Sequence, residues 1–183
     1  GEETEVTFEV VVFALDTTEY EVVASLDLED ASLENSYGNS ATKPSYAAAV
    51  VNLGTPKANW LLRNALISST SNDRFEGIYS IRAQSNTTAD QTARIEIQED
   101  GEYNVVEFDV ATYGNDAHGA QIKIEYSTDS GATWTAAAEI ITVESTTLQT
   151  YRIKLPEGVK RVAIVVVENT GRRVNFDNIK LMK

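Results

Sequence analysis

Apolar residues recur at every second position along most of this chain. The first such segment carries Val6, Phe8, Val10 and Val12 and is broken by the polar residues 16–19, and several later segments are separated by turns that contain glycine or proline. A two-residue period is typical of a β-strand that buries one face. No segment keeps the 3.6-residue period of an amphipathic helix. The pattern therefore predicts an all-β fold, an antiparallel jelly-roll β-sandwich of about ten or more strands.

Three segments refine this picture. Residues 60–67 are apolar enough for one strand and lack helical spacing. Residues 161–167 are apolar on both faces, which predicts a central strand covered on two sides. In the last strand the apolar positions step from Phe176 to Ile179, and this odd spacing predicts a β-bulge near Asp177 and Asn178.

The domain organisation follows from the length and from two weaker stretches. A chain of 183 residues is long enough to bury one core, so residues 1–183 are expected to form a single domain. Residues 1–18 are interpreted either as an extra edge strand or as the remnant of a preceding module. Between residues 31 and 47 the alternation fades, and a loop of this length is usually functional or held by a ligand.

Charge and composition limit the classes of molecule that this chain is expected to bind. The chain has 15 basic and 28 acidic residues, a net charge of −13, and no cysteine. Such a surface repels nucleic acid and anionic lipid, and no apolar run is long enough for membrane insertion. The many carboxylates are compatible with a Ca²⁺ site, because Ca²⁺ binds several oxygen ligands. We expect a monomer that is secreted or on the cell surface, although its leader is absent from this sequence.

One turn has a specific chemistry. It follows a strand that contains Ile122, Ile124 and Tyr126, and its key residues are Ser127, Asp129, Gly131, Thr133 and Trp134. The Asp129 side chain can accept hydrogen bonds from backbone N–H groups, and Gly131 can adopt a positive φ. The stretch resembles the Asp-box, Ser-x-Asp-x-Gly-x-Thr-Trp, which in the families that carry it is a β-hairpin and not a catalytic site.

Four stretches together resemble a known pattern. They are residues 26–30, residues 76–82, the Asp-box region 126–134, and residues 175–179. Their order is similar to that of jelly-roll domains appended to secreted bacterial proteins: MAM-like domains, choice-of-anchor domains and β-sandwich carbohydrate-binding modules. The resemblance covers residues 22–183. It implies a structural Ca²⁺ held by Glu29, Gly77 and Asp177, although Leu28 replaces the usual aromatic residue. Alternatively, both carboxylates are ordinary hydrogen-bonding groups at strand ends.

The candidate ligand-binding residues are aromatic. Sugar rings stack on exposed aromatic faces, so Tyr113, Trp60 and Tyr79 are candidates, with Tyr113 expected to be the most exposed. Core packing is the alternative, and it is favoured for Trp60 and Trp134. The chain has a single histidine, His118, and no Gly-x-Ser-x-Gly motif, so an enzyme is not expected. The sequence predicts a non-catalytic extracellular module that binds glycan and holds structural calcium; alternatively, it is an adhesion or spacer module that contacts protein.

Overall fold

The computed structural model describes residues 19–29, 46–85, 92–167 and 172–183. The predicted edge strand within residues 1–18 and most of the predicted long loop therefore lie outside the described residues. The described part contains twelve strands and no helix. The strands are β1 (Val22–Leu26), β2 (Ala49–Leu53), β3 (Ala58–Arg63), β4 (Ala65–Ser68), β5 (Ser80–Gln84), β6 (Ala93–Ile97), β7 (Val105–Thr112), β8 (Ala120–Ser127), β9 (Thr135–Val143), β10 (Gln149–Lys154), β11 (Arg161–Val166) and β12 (Arg173–Met182).

The strands form two antiparallel sheets of six strands each. The first sheet has the order β10-β7-β12-β5-β4, with β1 also paired to β12, and the second has the order β2-β3-β6-β11-β8-β9. The alternating apolar residues of both sheets face each other and form one core. In its centre Phe108 packs edge-to-face on Phe176, with the ring centroids 5.7 Å apart. The predicted all-β sandwich is confirmed.

The last strand, β12, organises the first sheet. Its pairing with β7 shifts register between Asp177 and Lys180, and Asn178 has a φ of 48°. This is the bulge that the apolar spacing predicted. Residues before the bulge pair with β5, and residues after it pair with β1. The bulge thus lies where β12 changes partner, beside the ends of two other strands.

The prediction of one strand over residues 60–67 is wrong. Asn64 has a φ of 47°, and it separates β3 from β4, which lie in different sheets. A positive φ turns the chain out of the extended conformation, and asparagine tolerates it better than most side chains. Both strands are apolar because each faces the common core. Alternation alone therefore did not show the boundary between them.

The turn with Asp-box chemistry connects β8 and β9, which pair as a hairpin. The Asp129 carboxylate accepts hydrogen bonds from the backbone N–H and the hydroxyl of Thr133, at 2.8 and 2.6 Å. The Ser127 hydroxyl accepts the Gly131 N–H at 2.8 Å. These hydrogen bonds lower the pKa of Asp129 to about 2. The Ser127 and Asp129 side chains thus form hydrogen bonds within the turn.

Candidate functional site

The aromatic residues predicted to bind ligand do not form an exposed platform. Trp60 and Tyr79 are each 2% exposed and Tyr113 is 7% exposed. Trp60 lies in β3 between Val51 and Ile97 of the neighbouring strands, on the face that packs into the core. The structure thus places all three rings in buried positions, and ligand binding by these residues stays a prediction.

Tyr113 is buried by charged groups from distant parts of the chain. The guanidinium groups of Arg82 and Arg173 lie over its ring, 4.5 and 4.1 Å from the centroid. Arg173 is in turn paired with Asp116 at 2.8 Å. A cation over an aromatic face is attracted by the ring quadrupole. The ring that was expected to be exposed thus holds two strands and a loop together.

Trp134 is half-buried on the outer face of the second sheet. The Arg94 guanidinium lies 4.2 Å from its ring centroid, and Arg94 also pairs with Glu96 and Glu125. The Arg94 and Glu96 side chains are only 9% and 11% exposed. One face of Trp134 is therefore occupied by the protein itself.

The segment from residue 69 to residue 79, between β4 and β5, crosses the outer face of the first sheet. We call it the β4–β5 segment. Asn175 accepts the Arg74 backbone N–H at 3.1 Å, and Asp177 accepts the Glu76 backbone N–H at 2.7 Å. Residues 175 and 177 point to the same face of β12, because side chains alternate along a strand. Their two-residue spacing matches that of residues 74 and 76, so the two side chains fix the segment along β12.

A buried ion pair fixes the start of the same segment. The Asp73 side chain is fully buried, and it pairs with Arg82, whose side chain is 12% exposed. Asp73 also accepts hydrogen bonds from the Ser68 hydroxyl, the Thr70 backbone and the Asn175 amide, each at 2.8 Å. Burial opposes ionisation of Asp73, but these hydrogen bonds, above all those from Arg82, lower its pKa to about 2. Asp73 is thus held as a carboxylate at the base of the segment.

The structure brings Glu29, Gly77 and Asp177 into one place, which we call the carboxylate site. The Glu29 carboxylate lies directly against Gly77, so that a Cβ built on Gly77 would be 1.9 Å from a Glu29 oxygen. Gly77 has a φ of 83°, which disfavours any other residue. Asp177 is 2% exposed and lies at the β12 bulge. Residues from an early strand, the β4–β5 segment and the last strand therefore meet here.

The carboxylate site has an unbalanced negative charge. Burial, together with the nearby charges of Glu29 and Asp109, raises the pKa of Asp177 to about 6, against the lowering effect of two backbone hydrogen bonds. The Asn178 amide donates to Asp109 at 2.8 Å and to Glu76 at 3.3 Å. Among the described residues no basic side chain forms an ion pair with Glu29 or Asp177. A bound cation would relieve this repulsion.

The donor set suits Ca²⁺ in chemistry but does not form a complete shell. Carboxylate and backbone oxygens are the ligands that Ca²⁺ prefers, and it takes about six to eight of them. Within the described residues, no three carboxylate or histidine side chains are already grouped as metal ligands. Glu29 and Asp177 would supply charge, and the resemblance assigns a further oxygen ligand to the backbone at Gly77. Metal binding by these three residues stays a prediction.

The carboxylate site is close in sequence to a shallow cavity of about 610 Å³. The cavity lies between the β4–β5 segment and the residues 146–148 that lead into β10. Phe75 lines it and is 37% exposed, the most exposed aromatic side chain among the described residues. Arg74 connects the two sides of the cavity, because its guanidinium donates a hydrogen bond to the Thr146 carbonyl at 3.0 Å. The same guanidinium also donates to the Gly114 carbonyl at 3.2 Å.

Phe75 is not among the ligand-binding residues predicted from the sequence, and it lies in a polar stretch between two strands. The available signal was the placement of one large apolar ring among serine, asparagine, aspartate and arginine residues. An apolar ring in such a stretch is exposed unless distant residues cover it.

The single histidine lies in the loop between β7 and β8. His118 is exposed, and its Nδ1 lies 3.3 Å from the Thr112 hydroxyl. The described residues also contain no helix that is long and apolar enough to cross a membrane.

The comparison with solved structures supports the fold. No family model and no curated protein matches this chain. The K2 cleaved adhesin domain of Lys-gingipain is similar in structure, with a TM-score of 0.54 and 12% identity, over 75% of this chain and 100% of that domain. A mutant of a family 29 carbohydrate binding module has a TM-score of 0.50 and 13% identity, over 74% of this chain and 91% of that module. At these identities the likeness is one of fold.

Proposed function

We propose that this chain is a non-catalytic, extracellular glycan-binding module whose ligand occupies the cavity at Phe75. The observation that carries the proposal is the exposed Phe75 ring within a cavity whose other lining residues, apart from Leu148, are polar or charged. A sugar has an apolar C–H face and a rim of hydroxyl groups. An aromatic ring beside hydroxyl groups and backbone carbonyls complements both parts.

The rigidity of the β4–β5 segment supports this proposal. The residues on either side of Phe75 are both fixed, since the backbone N–H groups of Arg74 and Glu76 donate to Asn175 and Asp177. The backbone that carries the ring is therefore held in position before any ligand binds. A preorganised group loses little conformational entropy on binding, and this favours affinity for a weakly held ligand.

We further propose that Ca²⁺ binds at the carboxylate site through Glu29, a backbone oxygen at Gly77, and Asp177. The cation would balance the carboxylate charges and join the early strand, the β4–β5 segment and β12. Gly77 is two residues from Phe75, so the cation would stabilise the segment that presents the ring. Its role would be structural.

The decisive experiment compares Phe75→Ala with Val50→Ala on a panel of polysaccharides. Val50 is 59% exposed and lies in β2, so it is a matched control for loss of exposed apolar surface outside the cavity. We expect Phe75→Ala to abolish retention on the ligand that the wild type binds, and Val50→Ala to retain it. Equal binding by both variants would show that the ligand does not occupy this cavity. If the wild type binds nothing across a broad panel of polysaccharides, the glycan-binding function itself is contradicted.

The second candidate function is an adhesion or spacer module that contacts protein. The observation that favours it is the exposure of aliphatic side chains on outer strands of the second sheet, Val50 at 59% and Ile140 at 56%. Binding to a protein partner that is lost in Val50→Ala or Ile140→Ala, and kept in Phe75→Ala, would support this function over the glycan.

A further inference from the structure

The cavity at Phe75 contains a positive charge that no carboxylate among the described residues neutralises. The charge belongs to Arg74, which lines the cavity and is half-buried. Arg74 takes part in none of the ion pairs between described residues. Other described arginines pair with a carboxylate, namely Arg82, Arg94, Arg152, Arg161 and Arg173. A cation without a carboxylate is unexpected in a chain with a net charge of −13, and it favours an anionic ligand over a neutral one.

The acidic residues closest to the cavity in the fold do not compensate Arg74. Asp73 lines the cavity, but its side chain is fully buried and pairs with Arg82, so these two charges cancel. Asp116 follows the loop that contacts Arg74, and it pairs with Arg173 at 2.8 Å. The cavity therefore keeps the positive charge of Arg74.

The remaining carboxylates of this region group at the β12 bulge. The Glu76 carboxylate accepts a hydrogen bond from the Asn178 amide at 3.3 Å, and Asp109 accepts one from the same amide at 2.8 Å. Neither these carboxylates nor those of the carboxylate site line the cavity. The acidic side chains of the bulge and the cation of the cavity are thus separate groups.

The Arg74 guanidinium is held by backbone carbonyls. It donates to the carbonyls of Thr146 at 3.0 Å, Gly114 at 3.2 Å and Asn72 at 3.4 Å. The opposite wall, residues 146–148, is uncharged. A guanidinium has more N–H groups than these three bonds use, and neutral carbonyls leave its charge in place. Its planar N–H groups match the two oxygens of a carboxylate.

We propose that the cavity takes an acidic sugar, a uronic acid residue of a glycan, whose carboxylate pairs with Arg74 while the C–H face of its ring stacks on Phe75. The inference rests on the glycan-binding function proposed above and names the class of sugar. Arg74 and Phe75 are adjacent in sequence, and both line the cavity. A sugar ring that carries a carboxylate presents both kinds of group within one residue. Arg74 thus determines specificity, and Phe75 supplies stacking that any pyranose could use.

The net charge of the chain permits this contact. Repulsion between distant charges is largely screened beyond about 8 Å at physiological ionic strength. A pair formed in a half-buried position is screened much less. A short acidic oligosaccharide therefore responds mainly to the nearby charge of Arg74 and only weakly to the distant carboxylates.

The test is isothermal titration calorimetry of the full chain with short oligosaccharides of galacturonic, glucuronic, mannuronic and guluronic acid, each compared with its methyl ester. The ester keeps the ring and its hydroxyl groups but removes the negative charge. The wild type should bind at least one acid about tenfold or more tightly than its ester. Arg74→Gln should abolish this preference, whereas Phe75→Ala should weaken the acid and the ester alike.

Arg63→Gln is the matched control. Arg63 is also half-buried, forms no ion pair with a described residue and donates to a backbone carbonyl, that of Thr92 at 3.3 Å, but it lies in β3 of the second sheet. The preference for the acid should persist in this variant. Arg74→Lys keeps the charge but loses the planar group that contacts the carbonyls, so it should retain a reduced preference.

Three results would overturn the inference, and they differ in what they imply for the proposed function. Equal affinity of the wild type for acids and esters, or binding of neutral polysaccharides alone, would exclude the acidic class and leave glycan binding at Phe75 intact. An undiminished preference in Arg74→Gln would show that Arg74 does not read the carboxylate. Binding to no acidic and no neutral glycan would contradict both proposals.

Discussion

Replacement of Asp73 by asparagine tests the largest electrostatic contribution in the β4–β5 segment. Asp73 is fully buried and accepts hydrogen bonds from four residues, among them Arg82. Its pKa falls from 3.8 to about 2 on folding, a shift that corresponds to about 2 kcal/mol of stability at neutral pH. The variant also leaves the mostly buried Arg82 without its counterion, so the total loss should be about 2–4 kcal/mol.

The assay is urea unfolding of the wild type and of Asp73→Asn at pH 7, with Asp100→Asn as the control. Asp100 also pairs with an arginine, Arg161, but its side chain is 44% exposed, so solvent screens the pair. The free energy of unfolding should fall substantially in Asp73→Asn and change little in Asp100→Asn. Equal unfolding midpoints for the wild type and Asp73→Asn at pH 7 would refute the reasoning.

The pH dependence gives an independent check on the same variant. The folded pKa of Asp73 lies below the unfolded value, so its contribution is complete above pH about 4 and is lost as the pH falls toward 2. Asparagine does not titrate. The gap in stability between the wild type and Asp73→Asn should therefore narrow between about pH 4 and pH 2, and a constant gap would show that the charge of Asp73 is not the cause.

Three further predictions follow from the carboxylate site and the core. Excess Ca²⁺ should raise the melting temperature of the wild type, by the equivalent of about 2.7 kcal/mol at a hundred times Kd, and Asp177→Asn should remove this response. Gly77→Ala should lower stability and weaken the Ca²⁺ response, because a Cβ there overlaps the Glu29 carboxylate and the residue has a positive φ; an unchanged response would argue against the site. Phe176→Ala should destabilise by about 3–5 kcal/mol in urea unfolding, since the ring is fully buried against Phe108, and a loss below about 1 kcal/mol would contradict this packing.

The prediction of strands from the sequence succeeded because alternation is a local property. Each of the strands β6, β7 and β8 has its own period of two, whatever its partners are. The bulge at Asp177 and Asn178 was also visible, because it breaks that period within one strand. The boundary at Asn64 was not visible, since both flanking strands face the same core and are equally apolar.

The exposure of the candidate aromatic rings could not be predicted from local alternation. Whether an aromatic ring is exposed depends on which distant residues cover it. Tyr113 stands beside a glycine in a loop, a position typical of an exposed ring, but the guanidinium groups of Arg82 and Arg173 lie over its ring. Phe75 stands in a similar polar stretch and has no such cover.

The linear order of residues was thus sufficient for the fold class, the β8–β9 hairpin and the bulge in the last strand, because each depends on neighbours a few positions apart. It also suggested that Glu29, Gly77 and Asp177 belong together. The folded chain alone established the close contact between Glu29 and Gly77, the buried Asp73–Arg82 pair and the exposure of Phe75. These features depend on contacts between strands far apart in sequence, and no local pattern encodes which strands become neighbours.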